Sequence, residues 1–318
     1  MFLSDIENLI TTYKKNYSSV KKKFLMFQNN FFINQYKFYD NDLDAANIIL
    51  YFKRRLHKQI IRQREKYLDY NLSYENFWKN GFILNMKKFK IINISKATGL
   101  PKETVRRKVQ NLIVSKKLQK EGKIIYWKPE NKLENDLKKK DEHINSFIKL
   151  SANIGNYFDK KITLEDNRAE LLKNYSFYAY HYYNVQIKYM KLWFEKFKDL
   201  ELFFISQELS IQANARFAKI HTNFENYYMN KKQKTNGDER AISATTVSQI
   251  TGIPRATCVR KLNYGVFNKI ALKNKKSKKY TYNEGIENLE WRKEISLKEM
   301  ELFCSFHLIV FRTLFRTV

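Results

Sequence analysis

Cysteine, proline and glycine are scarce in this chain of 318 residues, and each shortage excludes a class of protein. The two cysteines, Cys258 and Cys304, lie far apart and provide neither a disulfide framework nor the paired spacing of a zinc site. Three prolines and eight glycines leave few of the residues that form β-turns. The sequence therefore predicts a mainly α-helical protein in a reducing compartment, and we expect it in the cytoplasm.

Long apolar runs are also missing. The longest apolar-dominated stretch, Leu302 to Phe311, is about half the roughly 20 residues that a membrane-spanning helix needs. The segment from Met1 to Tyr17 carries Asp5 and Glu7 and has no apolar run, so we expect no signal peptide. No membrane partner is expected.

Patterns typical of catalysis are absent from the sequence as well. No glycine-rich phosphate loop is present, and no nucleophile motif accompanies a histidine. The histidines are scattered without metal-ligand spacing, at His57, His143, His181, His221 and His307. We therefore expect no metal, no cofactor and no enzymatic activity.

Positive charge is what the chain has in excess. Sixty Lys and Arg face 32 Asp and Glu, which gives a formal net charge of +28. AT-rich codons would explain Lys in place of Arg, but less easily a near two-to-one excess of basic over acidic residues. Because 43% of the residues are hydrophobic, the chain can build cores rather than a disordered basic tail. The charge favours a polyanionic partner, nucleic acid before membrane.

The sequence repeats itself. Thr98–Val109 recurs as Thr251–Leu262, and the upstream segment Tyr74–Phe77 matches Phe224–Tyr227 in the same order. This indicates a duplicated unit. The predicted domains are a helical extension (1–39), a first unit (40–130), a helical linker and packing region (131–189), a second unit (190–285) and a C-terminal helix (286–318).

Each copy has the pattern of two helices joined by a tight turn. Gly99 stands where the chain must leave one helix through a left-handed conformation, and Pro101 stands where the next helix begins. Apolar residues at helical spacing are expected to be buried, which leaves a polar face outward. In the first copy the expected DNA-binding residues on that face are Lys102, Glu103, Thr104, Arg106, Arg107 and Gln110. In the second copy they are Arg255, Thr257, Arg260, Lys261 and Asn263.

A strand–turn–strand pattern follows each second helix. The first pairs Lys117–Gln119 with Ile124–Trp127, and the second pairs Ile270–Lys273 with Lys279–Tyr282. Basic residues at the tips suit contacts with phosphates. We expect this role for Lys120, Lys123, Lys275, Lys276 and Lys278.

These patterns carry a resemblance. The segment Ser95–Arg107 resembles the winged helix-turn-helix of bacterial transcription regulators, most closely the Crp/Fnr and MarR groups. The resemblance implies a fold with two tandem winged helix-turn-helix domains, each a three-helix core with a short β-hairpin wing, joined by long helices. It also implies base-reading positions, at Lys102, Glu103 and Arg107 in the first copy and at Arg255 and Arg260 in the second. Ala256 replaces the acid in the second copy, which removes a cytosine-type contact there.

Two further segments are expected to pack rather than bind DNA. The stretch Ala169–Tyr227 is helical and dense in aromatics, and burial explains these better than stacking on single-stranded bases. Ser296–Glu299 has a capping-box pattern that predicts the start of a C-terminal helix. That helix either packs on the body or pairs with a second copy, so a homodimer through it or through the aromatic helices stays open.

The sequence thus predicts a sequence-specific double-stranded DNA-binding protein, a transcription regulator whose unequal reading helices form an intramolecular pseudo-dimer. Two alternatives remain at this point: a replication initiator of the tandem winged-helix type, and a non-specific architectural or scaffold protein.

Overall fold

The structure is a computed structural model, and it describes residues 2–80, 88–128, 150, 163–214, 223–230, 241–285 and 289–314. It is mainly helical, with two small antiparallel sheets, which confirms the mainly α prediction. The histidines His143 and His221 lie outside the described residues. No helix in the described ranges is long and apolar enough to cross a membrane.

The helices are α1 Phe2–Lys15, α2 Tyr17–Phe38, α3 Leu43–Lys66, α4 Tyr74–Asn80, α5 Ile91–Thr98, α6 Lys102–Val114, α7 Leu164–Lys173, α8 Tyr175–Phe197, α9 Leu200–Asn214, α10 Phe224–Asn230, α11 Ala244–Thr251, α12 Arg255–Phe267 and α13 Leu289–Leu314. The strands are β1 Gln119–Glu121, β2 Ile124–Tyr126, β3 Ala271–Lys273 and β4 Tyr280–Tyr282. In each sheet the two strands pair antiparallel, with Lys120 opposite Ile125 and Leu272 opposite Thr281.

The chain divides into two compact units. The first-copy unit comprises residues 44–195 and 305–318, and the second-copy unit comprises residues 1–43 and 196–304. Each unit therefore contains one copy of the repeated helix pair and its hairpin. The domain boundaries expected from the sequence stay predictions.

In the first-copy unit, one face of α3 forms the centre of the core. Leu56 and Ile60 are buried together with Phe77 of α4, and the hairpin residues Ile124 and Tyr126 pack against this cluster. A helix with apolar residues at spacings of three and four buries one such stripe, and Leu56 and Ile60 lie four residues apart on α3. The core thus fixes the position of the hairpin within its unit.

In the second-copy unit, α9 is the central helix. It packs against α2, α11, α12 and β4, and the ring of Phe32 on α2 lies 5.6 Å from that of Phe203 on α9. The helix pair α11 and α12 therefore packs on α9. Helix α9 also places Glu201 beside α12, where its carboxylate pairs with Lys261.

The aromatic-rich stretch Ala169–Tyr227 contains several helices, from α7 to the start of α10. Many of its rings are used in packing, as predicted from the sequence; buried ones include Tyr178, Tyr182, Tyr189, Phe194 and Phe197. Of this stretch, residues 215–222 lie outside the described residues. The interpretation of these aromatics as core agrees with their burial.

The capping-box prediction for the C-terminal helix is wrong. Helix α13 begins at Leu289, so Ser296 and Glu299 lie inside it, and both are buried. Ser296 Oγ instead accepts hydrogen bonds from the Tyr228 hydroxyl at 2.6 Å and from Lys21 Nζ at 3.0 Å. A buried hydroxyl needs such partners, which is why a capping residue type occurs in mid-helix.

We expect opposite stability changes from alanine at two glycines of the second-copy unit. Gly252 has φ +78°, so Gly252→Ala should lower the free energy of unfolding by about 1–2 kcal/mol. Gly265 lies within α12, and a Cβ there would meet Leu202 Cδ1 at an ordinary 3.6 Å, so Gly265→Ala should raise it by up to about 1 kcal/mol. Urea unfolding measures both, and equal shifts would contradict the assigned backbone conformations.

Candidate nucleic-acid interface

The turn between α5 and α6 is held by a set of short-range hydrogen bonds. Gly99 ends α5 in the left-handed conformation, with φ 79°, and its N–H donates to the Ser95 carbonyl at 2.8 Å. Ser95 Oγ donates to the Leu100 carbonyl at 2.7 Å, and Thr98 Oγ1 accepts from the Leu100 N–H at 3.3 Å. These bonds fix the angle at which α6 leaves the turn.

The turn between α11 and α12 repeats this geometry bond for bond. Gly252 has φ 78°, and its N–H donates to Ser248 at 2.9 Å. Ser248 Oγ donates to the Ile253 carbonyl at 2.6 Å, and Thr251 Oγ1 accepts from the Ile253 N–H at 3.2 Å. The duplication seen in the sequence is therefore a duplication of local structure.

The second helices of the two pairs have the same length and the same buried side. Both α6 and α12 have 13 residues and begin directly after a proline. Helix α6 buries Val105, Val109 and Leu112, whereas α12 buries Cys258, Leu262 and Gly265. Burial raises the pKa of the Cys258 thiol to about 11, so this cysteine is a packing residue.

The outward face of α6 is charged over its first two turns. Lys102, Arg107 and Gln110 are exposed as predicted, whereas Thr104 is half-buried. Arg106 Nη1 lies 3.1 Å from Glu103 Oε2, and both side chains are exposed. An exposed pair of this kind contributes little to stability, so both groups are available to a ligand at small cost.

The outward face of α12 is less charged. Arg255 and Arg260 are exposed, and Thr257 is half-buried. The positions that correspond to Glu103 and Arg106 hold Ala256 and the half-buried Val259. Arg255 Nε donates to Thr245 Oγ1 at 3.1 Å, which orients its guanidinium at the start of the helix.

Lys261 does not lie on this face, and the expectation of an exposed Lys261 is wrong. Its side chain is only 12% exposed and is paired with Asp199 and, at 2.9 Å, with Glu201. Burial alone would lower the pKa of Lys261, but the two carboxylates raise it above its usual value. The residue is a tether between α12 and the start of α9.

Asn263 is exposed, but its amide oxygen is already used. Asn263 Oδ1 accepts a hydrogen bond from the Tyr280 hydroxyl at 2.9 Å and one from Lys273 Nζ at 3.2 Å. Bidentate recognition of adenine requires that oxygen together with the amide nitrogen. Asn263 therefore joins α12 to the hairpin, and this geometry leaves no room for a bidentate adenine contact by its amide.

The first hairpin is short and carries two exposed lysines, Lys120 and Lys123. Its first strand begins two residues later than the sequence indicates, because Leu118 is buried and its N–H donates to the Leu112 carbonyl at 2.9 Å. At its base the Tyr126 hydroxyl donates to Glu121, and this bond raises the pKa of Tyr126 to about 12.

The second hairpin is longer and more basic. Strands β3 and β4 agree with the sequence prediction to within one residue. Between them, Asn274 Oδ1 accepts from the N–H groups of Lys276 at 2.7 Å and Ser277 at 2.8 Å, and Lys278 adopts φ 58°. These bonds give the loop a defined shape, and all its lysines are exposed: Lys275, Lys276 and Lys278 within it, with Lys273 and Lys279 at its ends.

Buried histidines contribute no positive charge to these surfaces. Burial lowers the pKa of His57 and of His307 to about 3, so both are neutral near pH 7. Within the described part of the chain, no group of His, Cys, Asp and Glu could hold a metal ion.

With the geometry described, the chain can be compared with known proteins. No family model, curated protein or solved structure matches it.

Sequence reasoning missed the residues that support the site. Thr245, Asp199 and Glu201 position side chains of α12, and Tyr280 holds Asn263. Of these residues, only Tyr280 could be recognised from the sequence, because a buried tyrosine usually finds a hydrogen-bond partner for its hydroxyl. The two carboxylates lie far away in the sequence, Asp199 just before α9 and Glu201 in its first turn, and have no sequence signal.

Proposed function

We propose that this chain is a tandem winged-helix protein that binds double-stranded DNA in a sequence-specific manner and regulates transcription. The observation that carries the proposal is the repeated unit. The chain contains two helix pairs whose turns are held by the same hydrogen bonds, and each pair is followed by a hairpin with exposed lysines. In a winged helix the second helix enters the major groove and the hairpin contacts the backbone. The net charge of +28 is consistent with a polyanionic partner.

In this proposal α6 reads bases through charged and polar groups. Lys102 and Arg107 are exposed on its outward side, and a bidentate arginine contact recognises guanine O6 and N7. Glu103, freed from Arg106, can accept from a cytosine amine. The side-chain amide of Gln110 supplies an oxygen that accepts from adenine N6 and a nitrogen that donates to adenine N7.

Helix α12 would read DNA differently. Arg255 and Arg260 flank a strip that consists of Ala256 and Val259, and small apolar side chains contact the thymine methyl group. Because the two helices differ in this way, the preferred site is asymmetric. The two reading helices of one chain then act as an intramolecular pseudo-dimer, and the second depends more on its lysine-rich hairpin.

A titration with three labelled nucleic acids of one random sequence tests the proposed partner. We expect the DNA duplex to bind more tightly than its single strand and than the corresponding RNA duplex, whose major groove is too deep and narrow for a helix to read. Fluorescence anisotropy at fixed salt is the measurement. Tighter binding of the single strand or the RNA duplex would contradict the proposal.

A further inference from the structure

A cavity lined by cations lies along α3 in the first-copy unit. Its volume is about 400 Å³, and it shares no lining residue with the surfaces assigned to DNA above. Small-molecule sites in proteins typically measure about 300–1,000 Å³. The cavity therefore has room for a small ligand of its own.

Five positive side chains surround this cavity. Arg54, Lys58 and Arg62 come from one face of α3 at spacings of four residues, and Arg55 lies beside Arg54, three residues before Lys58. Lys88 comes from the segment before α5. The other described lining residues are neutral, namely Tyr51, Gln59 and Tyr180, and none is acidic. The lining thus has the composition of an anion site.

One of these cations, Arg54, is positioned by contacts within the protein itself. Arg54 Nη1 donates to Asn184 Oδ1 at 2.9 Å, and its guanidinium carbon lies 5.0 Å from the centre of the Tyr51 ring. Burial lowers the pKa of Arg54, and the positive charge of Arg55 lowers it further. Two adjacent guanidinium groups that repel each other are stabilised by an anion between them.

We propose that this cavity binds a small anion that carries a chain of phosphates, either as inorganic tripolyphosphate or as a nucleoside triphosphate. Several cations converge on one cavity, and a triphosphate brings several negative charges to one point. A DNA strand instead offers one charge about every 3.4 Å along its length. Arginine forks and lysine ammonium groups are the side chains that recognise phosphate.

Isothermal titration of the full chain without DNA tests the proposal. We expect saturable binding of one tripolyphosphate and of one adenosine triphosphate per chain, and none of adenosine. Much tighter binding of the nucleotide would identify a nucleoside triphosphate as the source of the phosphates, and equal affinity would identify the phosphate chain alone. No saturable binding of either anion at millimolar concentration would overturn the proposal.

Two double variants with the same charge change locate the site. Lys58→Gln with Arg62→Gln should weaken tripolyphosphate binding about tenfold or more, because each substitution removes a charge-assisted hydrogen bond to the anion. Lys66→Gln with Lys173→Gln removes two exposed charges of the same unit outside the cavity and should change the affinity less than about twofold. Equal weakening by both pairs would overturn the proposal. So would a cavity variant that weakens only DNA binding, because the cavity would then hold the nucleic-acid backbone.

Discussion

Arg260→Ala is expected to weaken binding to the preferred duplex by about 1–3 kcal/mol without changing the stability of the protein. Lys261→Ala is expected to lower the stability of the protein without changing its selectivity among duplexes. The two residues are adjacent, but Arg260 is exposed whereas Lys261 is paired with Asp199 and Glu201. Removing one partner of a buried ion pair costs about 3–5 kcal/mol. Water reaches the two carboxylates, which are 32% and 25% exposed, so we expect about 1–3 kcal/mol for Lys261→Ala.

Urea unfolding and anisotropy titrations on the preferred duplex and on random DNA measure the two effects separately. Lys261→Met is the control, because it keeps an unbranched apolar side chain of similar length and removes the ammonium group that pairs with the carboxylates. We expect it to lose most of the same stability. A Lys261→Ala protein as stable as the wild type, with reduced selectivity among duplexes, would show that Lys261 belongs to the reading surface after all.

Neutralising the second hairpin is expected to weaken binding to every DNA sequence alike. Lys275, Lys276 and Lys278 are exposed on a loop whose shape Asn274 fixes. If each lysine contacts one phosphate, the triple change to Gln should make the negative slope of log affinity against log salt shallower by about 2.7. It should also reduce the affinity about 100-fold at physiological salt. Anisotropy titrations over a series of salt concentrations give both quantities.

A matched triple variant controls for net charge. Lys14, Lys15 and Lys22 are exposed on α1 and α2 of the same unit, and their change to Gln also removes three positive charges. We expect a much smaller change in the salt slope from this control. The same slope change in both triples would mean that overall charge, and not the hairpin, determines the affinity.

Local structure could be predicted from the sequence because it is dictated by residues close in the chain. Gly99 and Gly252 adopt the left-handed conformation expected of them, and a proline precedes each following helix. The hairpins follow at the expected places, since a helix end, a buried residue and a turn succeed one another within a few residues. For the same reason, the equal length of α6 and α12 could be inferred from one repeated segment.

Tertiary partners could not be predicted, and they account for the errors. Helical spacing left Lys261 on the polar side of α12, but Asp199 and Glu201 on another segment remove it from solvent. The local pattern at Ser296 matches a cap and predicts a helix start, whereas its actual partners are Tyr228 and Lys21. In both cases a residue distant in sequence decides the role of the side chain.

The cationic cavity shows the same limit in another form. The basic residues of α3 are visible in the sequence, and their spacing places them on one face of a helix. Their convergence on a cavity depends on Tyr180 of α8 and on Lys88, which no periodicity connects with α3. The sequence therefore indicates a basic helix face but not a binding site.

Selection of bound sites from a library of random duplex DNA tests the central claim most directly. We expect enrichment of one asymmetric site, which the protein binds about a thousandfold or more tightly than random duplex at the same salt concentration. Substituting Arg107 or Arg260 by Ala should relax the selection at separate positions of that site. A library whose sequence composition is unchanged after repeated rounds of selection would contradict sequence-specific recognition.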